Sequence, residues 1–277
     1  MKKTFMAFFI FLVVFLLTGC SDSGINVDVE ELSFNYEPAV EPVEFHWSSS
    51  DDPYLAELAE EYHLEEKVAE APSDLEKVLL ITDWVHGLWQ HDGSNTPKKG
   101  DPISILKEVE EGQQFRCVEY SVVINGCLNA LQIPSRIVGL KTNDVETRES
   151  GAGHVVVEAY LPDLNKWIMA DGQWNVVPVL DGTPLNCVEF QNALANKEAG
   201  LELSSKGRND KNGYYQWVAE YLYYFDAPLD NRFVGRDNPR KIMLVPEGAK
   251  YPKIFQRIMP INNMDYTNSY STFYPEP

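Results

Sequence analysis

Apolar and polar positions follow two rhythms along this chain, and the change from one to the other outlines its organisation. From Ser73 the apolar residues Leu75, Val78, Leu79, Thr82, Val85 and Trp89 recur three and four apart, which predicts a helix with one buried face. Its start carries the Ser-x-x-Glu pattern of a capping box at Ser73–Glu76. Upstream, Asp52-Pro53 offers a cap and a first helical position for "PYLAELAEEYHL". Asp101-Pro102 repeats that signal for a short helix closed by Gly112. A further helix opens at Cys117, where Cys117, Tyr120, Ile124, Cys127/Leu128 and Leu131 fall on one stripe, and Pro134 stops it.

The rhythm then shortens to the strand period. "SRIVGLKT" reads as a strand, followed by a polar loop over 143–153. Two further strands, His154–Leu161 and Lys166–Asp171, flank the turn signal Pro162-Asp163-Leu164-Asn165. If the turn is centred between Pro162 and Asp163, facing residues have an index sum of 325 and His154 lies opposite Asp171; a five-residue loop shifts that sum by three. Either register leaves imidazole and carboxylate near one another at the open end of the hairpin. Beyond Val177 the aromatic stretch from Tyr214 to Phe225 has helical spacing at Tyr214, Trp217, Val218, Tyr221, Leu222 and Phe225, and "RKIMLVPEG" and "YPKIFQRIM" read as additional strands. That stretch is expected to pack as core, with an aromatic wall for a sugar or peptide as the functional alternative.

The first residues have a different character. Lys2 and Lys3 precede an apolar run from Phe5 to Leu17, the pattern of a secretory signal peptide over 1–19. Its ending, Leu17-Thr18-Gly19-Cys20, resembles a bacterial lipobox, which implies lipidation at Cys20 and a membrane-anchored, extracytoplasmic protein. Residues 20–50, acidic and proline-dotted, are expected to form a flexible tether leading to one domain over 51–277. Its core would be 73–177, with an aromatic-rich extension over 178–277.

Composition then narrows the function. With Lys+Arg 23 against Asp+Glu 42 the net charge is −19, and loss of Lys2 and Lys3 with the signal makes it about −21. Such acidity argues against nucleic acid as a partner and against charge-driven adhesion to anionic lipid. A hydrophobic fraction of 44% and six tryptophans suffice for a globular core. Cys117, Cys127 and Cys187 remain after Cys20, an odd number that points to a free thiol; Cys127–Cys187 is one of three pairings available. His86, His91 and Asp92 lack a His-x-x-x-His or Cys-x-x-Cys companion, so no metal site and no cofactor is assigned, and their loop is expected to border a cleft.

A thiol is nucleophilic as thiolate, and a helix N-terminus and a neighbouring imidazolium both favour that form. Cys117 has the first by position, His154 offers the second, and Asp171 would orient His154. The order of a Cys-opened helix, "QIPSR" at 132–136, Gly153-His154 opening a strand, and Trp167-x-x-x-Asp171 resembles the bacterial transglutaminase-like superfamily over about residues 73–177. The resemblance implies an α+β fold with a papain-like core, its N-terminal helices carrying the nucleophile at a helix start packed on an antiparallel sheet. It implies Cys117 as nucleophile, His154 as general base and acid, and Asp171 as orienting residue. Two departures stand out: "EGQQFRC" has its only glycine five residues before the cysteine, and Glu119 follows the nucleophile where an Asp is more usual.

The Cys117 N–H is one natural oxyanion donor, and Gln113, Gln114, Trp84 or Trp89 are candidates for the second, with Gln114 preferred. The function expected is thiol-dependent acyl transfer on amide bonds, as a peptidase or amidase or as a transglutaminase. Peptide or protein substrates follow from that chemistry, and the envelope location adds cell-wall stem peptides. The alternative is a non-catalytic surface module that binds peptide or glycan on the same fold.

Overall fold

The structure is a computed structural model, and it describes residues 25–38, 43–207 and 211–277. The expected signal segment and Cys20 lie outside the described residues. Four helices come first: α1 (Pro53–Glu61), the single-turn α2 (Leu64–Lys67), α3 (Asp74–His86) and α4 (Pro102–Glu110). Their starts follow the sequence signals. The carboxylate of Asp52 accepts the Tyr54 N–H, the Ser73 hydroxyl accepts the Glu76 N–H, and Asp101 accepts the Ser104 N–H. Helix α5 (Cys117–Ala130) lies at their centre, buried on most of its circumference rather than along one stripe. Gly126 makes that possible, because an added Cβ there would press on the Pro102 ring and on Leu58.

Strands β1 (Ser135–Lys141), β2 (Gly153–Leu161) and β3 (Lys166–Ala170) follow as an antiparallel meander. Next come β4 (Val177–Leu180), β5 (Thr183–Pro184), α6 (Cys187–Ala195) and β6 (Leu201–Ser204), the three strands forming a small sheet in the order β5-β4-β6. Helix α7 (Lys211–Val218) runs into a 3₁₀ turn at Ala219–Tyr221. Then follow β7 (Tyr224–Pro228), β8 (Lys241–Leu244), the paired short strands β9 (Ile254–Phe255) and β10 (Met259–Pro260), β11 (Met264–Thr267) and α8 (Tyr270–Phe273). The main sheet has the order β11-β8-β7-β1-β2-β3 and is antiparallel except where β11 joins β8. The fold is α+β, and the last hundred residues extend the same sheet.

Two cores sit on the two faces of that sheet. Val157, Ala159, Leu161, Ile168 and Ala170 pack against α1 and α3–α5, whereas Val138, Leu140, Val156, Met169 and Phe225 pack against α6 and α7. Alternation along β2 therefore turns Val155 and Val157 toward α5 and His154, Val156 and Glu158 toward the other side. The cysteines divide the same way. Cys127 is buried in the first core and Cys187 in the second, and both are free thiols, so the pairing of Cys127 with Cys187 is not formed.

Three expectations need correction. The hairpin turn holds four residues, 162–165, closed by Leu164 N–H to Leu161 C=O and Asn165 N–H to Pro162 C=O, with Asn165 left-handed at φ 50°. Its register is Leu161↔Lys166 to Val157↔Ala170, an index sum of 327. His154 and Asp171 are consequently diagonal neighbours rather than directly opposed, though on the same face. The expected tether over 20–50 is not free where it is described: Ile25, Leu32 and Phe34 are buried in the second core, the Gln191 amide donates to the Glu30 carbonyl (2.6 Å), and Trp47 packs on Trp167. Acidity and prolines masked the apolar positions interleaved in "INVDVEELSF". Finally, the aromatic helix ends at Val218, and Phe225 belongs to β7.

Candidate active site

Cys117 occupies the first position of α5, and the segment leading to it is fixed although it lacks a nearby glycine. Phe115 is wholly buried, and its carbonyl accepts both the Asp92 N–H (2.9 Å) and the Trp89 indole N–H (3.3 Å). Asn95 adds a hydrogen bond to the Gln114 carbonyl (2.8 Å). Glu119 closes the helix start by accepting the Arg116 backbone N–H (3.1 Å) and the Nε–H and Nη2–H of the Arg116 guanidinium (3.2 and 2.7 Å). The residue noted as a departure from the usual Asp thus caps α5. Ser121, one turn on, donates to the Val155 carbonyl (2.9 Å) and pins α5 to β2.

The structure brings Cys117, His154 and Asp171 together. His154 lies at the start of β2, its side chain 1% exposed, and its Nε2–H donates to Asp171 Oδ2 at 2.7 Å. That leaves Nδ1 for Cys117, whose thiol lies close enough to bear on the charge of the imidazole. Burial works against a charged imidazole, but the Asp171 carboxylate and the thiol outweigh it, so the His154 pKa is pushed up to about 9. The imidazole is therefore protonated at neutral pH. Cys117 itself is half-buried, whereas His154 and Asp171 are buried.

Asp171 is completely buried and well supplied with donors. Besides His154, the Tyr214 hydroxyl donates to Oδ2 (3.0 Å) and the Trp174 N–H to Oδ1 (3.2 Å). Its backbone pairs with Val176 in both directions, which holds the end of β3. Gly172 next to it lies against α5, where an added Cβ would sit 3.0 Å from Tyr120 Cβ and closer still to Ile124 Cδ1. Gly172→Ala is thus expected to destabilise the fold by about 1–3 kcal/mol, the usual cost of overpacking. A urea midpoint reads that loss, and the same wedge separates Asp171 from α5, so Cys117 alkylation slows as well.

The aromatic stretch covers His154. Trp217 meets the imidazole edge-on with centroids 4.7 Å apart, and Tyr221 lies 6.0 Å away. Trp174 and Tyr214 continue the layer behind Trp217. Neither Tyr214 nor Trp217 was assigned to the site from sequence. Their i, i+3, i+7 spacing with Tyr221 shows only that they share a face, and the target of that face depends on the fold.

Of the oxyanion candidates, Trp89 spends its indole N–H on Phe115, and Trp84 packs between Tyr62 and Lys67. Gln113 contacts Asn95 (3.4 Å). Gln114 is exposed and lines a groove of about 670 Å³ with Gln90, His91, Tyr120 and Gln173. The loop carrying His91 thus borders a cleft beside α5. Among the described residues no cluster of three His, Cys, Asp or Glu side chains is arranged to hold a metal ion. The 143–153 loop that leads into β2 is tied down: Gln256 N–H donates to the Val145 carbonyl (2.8 Å), Ala152 N–H to Gln256 Oε1 (3.1 Å), and Arg257 reaches the Thr147 carbonyl (2.6 Å).

Residues 62–172 match the family model of the transglutaminase-like superfamily, a segment that holds Cys117, His154 and Asp171 but ends before α7. Among solved structures the chain is similar to a candidate cysteine protease from Cytophaga hutchinsonii, at 15% identity and a TM-score of 0.36, covering 64% of this chain and 57% of that one. It is similar to a TGase at 19% identity and a TM-score of 0.32, over 43% of this chain and 31% of that one. A candidate protease from Parabacteroides distasonis matches at 16% identity and a TM-score of 0.31, over 48% and 30% respectively. This chain thus spans less than two thirds of the length of each of these three. No curated protein matches the chain.

Proposed function

We propose that this protein is a thiol-dependent acyl-transfer enzyme acting on amide bonds, with Cys117 as nucleophile, His154 as acid and base, and Asp171 as orienting carboxylate. The observation that carries this reading is the charge-ready pair at the start of α5. A thiol at a helix N-terminus lies within electrostatic reach of an imidazole whose Nε2 is bonded to a buried carboxylate at 2.7 Å. The Cys117 thiolate attacks the amide carbonyl, and the tetrahedral oxyanion receives hydrogen bonds from the Cys117 N–H and the Gln114 amide. Collapse breaks the C–N bond as His154 gives its Nδ1 proton to the departing amine. Water or a second amine, losing its proton to His154, then attacks the thioester and releases the thiolate. Water yields a peptidase or amidase, an amine a transglutaminase. The substrate is a peptide or protein reached in the cell envelope, where the lipobox-like Leu17–Cys20 would anchor the chain by Cys20 on the extracytoplasmic face.

Iodoacetamide alkylation of Cys117 as a function of pH tests the reading without a known substrate. Cys117 is expected to react readily at neutral pH and several-fold more slowly in His154→Ala, because the imidazolium that favours the thiolate is gone. A thiol that stays inert until strong alkali, or one indifferent to His154, would sink the enzyme and leave a surface binding module.

A further inference from the structure

The hydroxyl of Tyr214 sits in an unusual place for a polar group. Its ring is wholly buried in an aromatic layer, stacked on Phe190 at 6.1 Å and tilted against Trp174 at 5.4 Å. A phenylalanine would fill that volume without the cost of desolvating a hydroxyl. The acceptor for this hydroxyl is Asp171 Oδ2, at 3.0 Å, the same oxygen that receives His154 Nε2–H at 2.7 Å. We propose that Tyr214 is a positioning residue of the triad, whose donation to Asp171 Oδ2 sets how firmly that carboxylate holds the imidazolium. The inference rests on the reading of Cys117, His154 and Asp171 as a working triad.

Two donors on one carboxylate oxygen share its negative charge, so each added donor weakens the pull on the other. Tyr214 stays a donor throughout the working range, since burial first and the Asp171 charge second push its phenol far up. With Trp174 N–H on Oδ1, the carboxylate is held at both oxygens and the imidazole cannot carry it into another rotamer. Other titratable groups whose fields reach the pair are Cys117 on α5, His91 on the loop after α3 and Cys187 at the start of α6, and the Tyr221 ring after α7 lies 6.0 Å from the imidazole. Tyr214 differs from them in bonding the carboxylate directly. It comes from α7, beyond the segment 62–172 that matches the family model. The C-terminal extension thereby contributes to the proton balance of the site as well as to its cover.

The test is the titration midpoint of His154, read by nitrogen NMR of the full chain labelled at histidine and assigned by the signal missing in His154→Ala. Tyr214→Phe, which keeps the ring, is expected to raise the midpoint by roughly half a unit to one unit, because Asp171 then pulls on the imidazolium unshared. Difluorotyrosine at position 214 keeps the fold and strengthens the donor, and is expected to move the midpoint down. Midpoints that coincide with wild type in both substituted proteins would overturn the proposal, since a purely structural role moves the melting temperature alone. Failure of Tyr214→Phe to fold leaves the fluorinated chain to decide. Asp171→Asn separates the two levels: a His154 midpoint indifferent to that change removes the triad itself, whereas one that responds while position 214 is silent removes only the role of Tyr214.

Discussion

Asp171→Asn is expected to lower acyl turnover by about 10⁴-fold with little change in fold, the scale seen when the orienting carboxylate of a triad becomes an amide. An amide keeps the size and a carbonyl oxygen for His154 Nε2–H but removes the charge that outweighs burial of the imidazole. The His154 midpoint should then fall from about 9 to the ordinary value near 6.5 or below, since desolvation is no longer opposed. At neutral pH the variant thus lacks the imidazolium, and Cys117 alkylation slows in step. The same pair makes a signed contribution to stability. A folded-state value above the unfolded one means that the stabilisation is complete below about 6.5 and is lost as pH rises through 9. Wild-type denaturation midpoints should decline across that window by at most about 3 kcal/mol in stability, and those of Asp171→Asn should not. A variant retaining full alkylation at neutral pH would show that Asp171 is not the counter-ion.

The elements of this site were legible where local signals decide structure. Asp52, Ser73 and Asp101 start their helices through side-chain caps, because these effects act within one turn of chain; α5 ends at Ala130, with Gln132 left-handed at φ 61°, before Pro134 is reached. Pairing between distant elements was legible only in part. The His154–Asp171 neighbourhood survived an error of two in the index sum because that error preserves the face, and Asn165 in the left-handed region accounts for the longer turn. A one-residue error would have turned one partner to the opposite side of the sheet.

What the sequence hid is what depends on tertiary destination. Val27, Val29, Leu32 and Phe34 alternate weakly among acids, and whether such a stretch lies on a domain or trails from it depends on the groove it meets. Phe34 finds Phe225, 191 positions away, with ring centroids 6.2 Å apart. Tyr214 and Trp217 share a helical face with several core aromatics, and nothing local distinguishes a ring over a leucine from one over the His154 imidazole. Trp89 shows the converse. It stands just upstream of the nucleophile in space and could have been an oxyanion donor, yet its indole N–H satisfies the Phe115 carbonyl that fixes the approach to Cys117.

Arg136→Met is expected to be the most destabilising single change outside the triad, at about 3–5 kcal/mol, because it strands a buried carboxylate. Arg136 and Glu158 face each other across β1 and β2 with both side chains wholly inaccessible, the guanidinium donating to Glu158 Oε2 at 2.9 and 3.3 Å. Nη1 donates to the Phe273 carbonyl (2.6 Å), and the rings of Phe273, Trp167 and Tyr274 stand 4.5–4.9 Å from the guanidinium carbon. Methionine fills much of the volume but neutralises nothing, while Glu158 keeps only the Cys187 N–H (3.0 Å) and the Tyr274 hydroxyl (2.9 Å). Adding Glu158→Gln removes the stranded charge and retains an oxygen for both donors, so the double variant should be more stable than the single one. Glu158 lies four residues along β2 from His154 and on the same face, so α8 and the start of α6 are tied through one carboxylate to the strand that positions the imidazole. Urea denaturation of the single and double variants, followed with Cys117 alkylation of the folded fraction, measures both consequences. A single variant within 1 kcal/mol of wild type, or a double variant less stable than the single, would show that Arg136 acts through ring packing rather than as the counter-ion of Glu158.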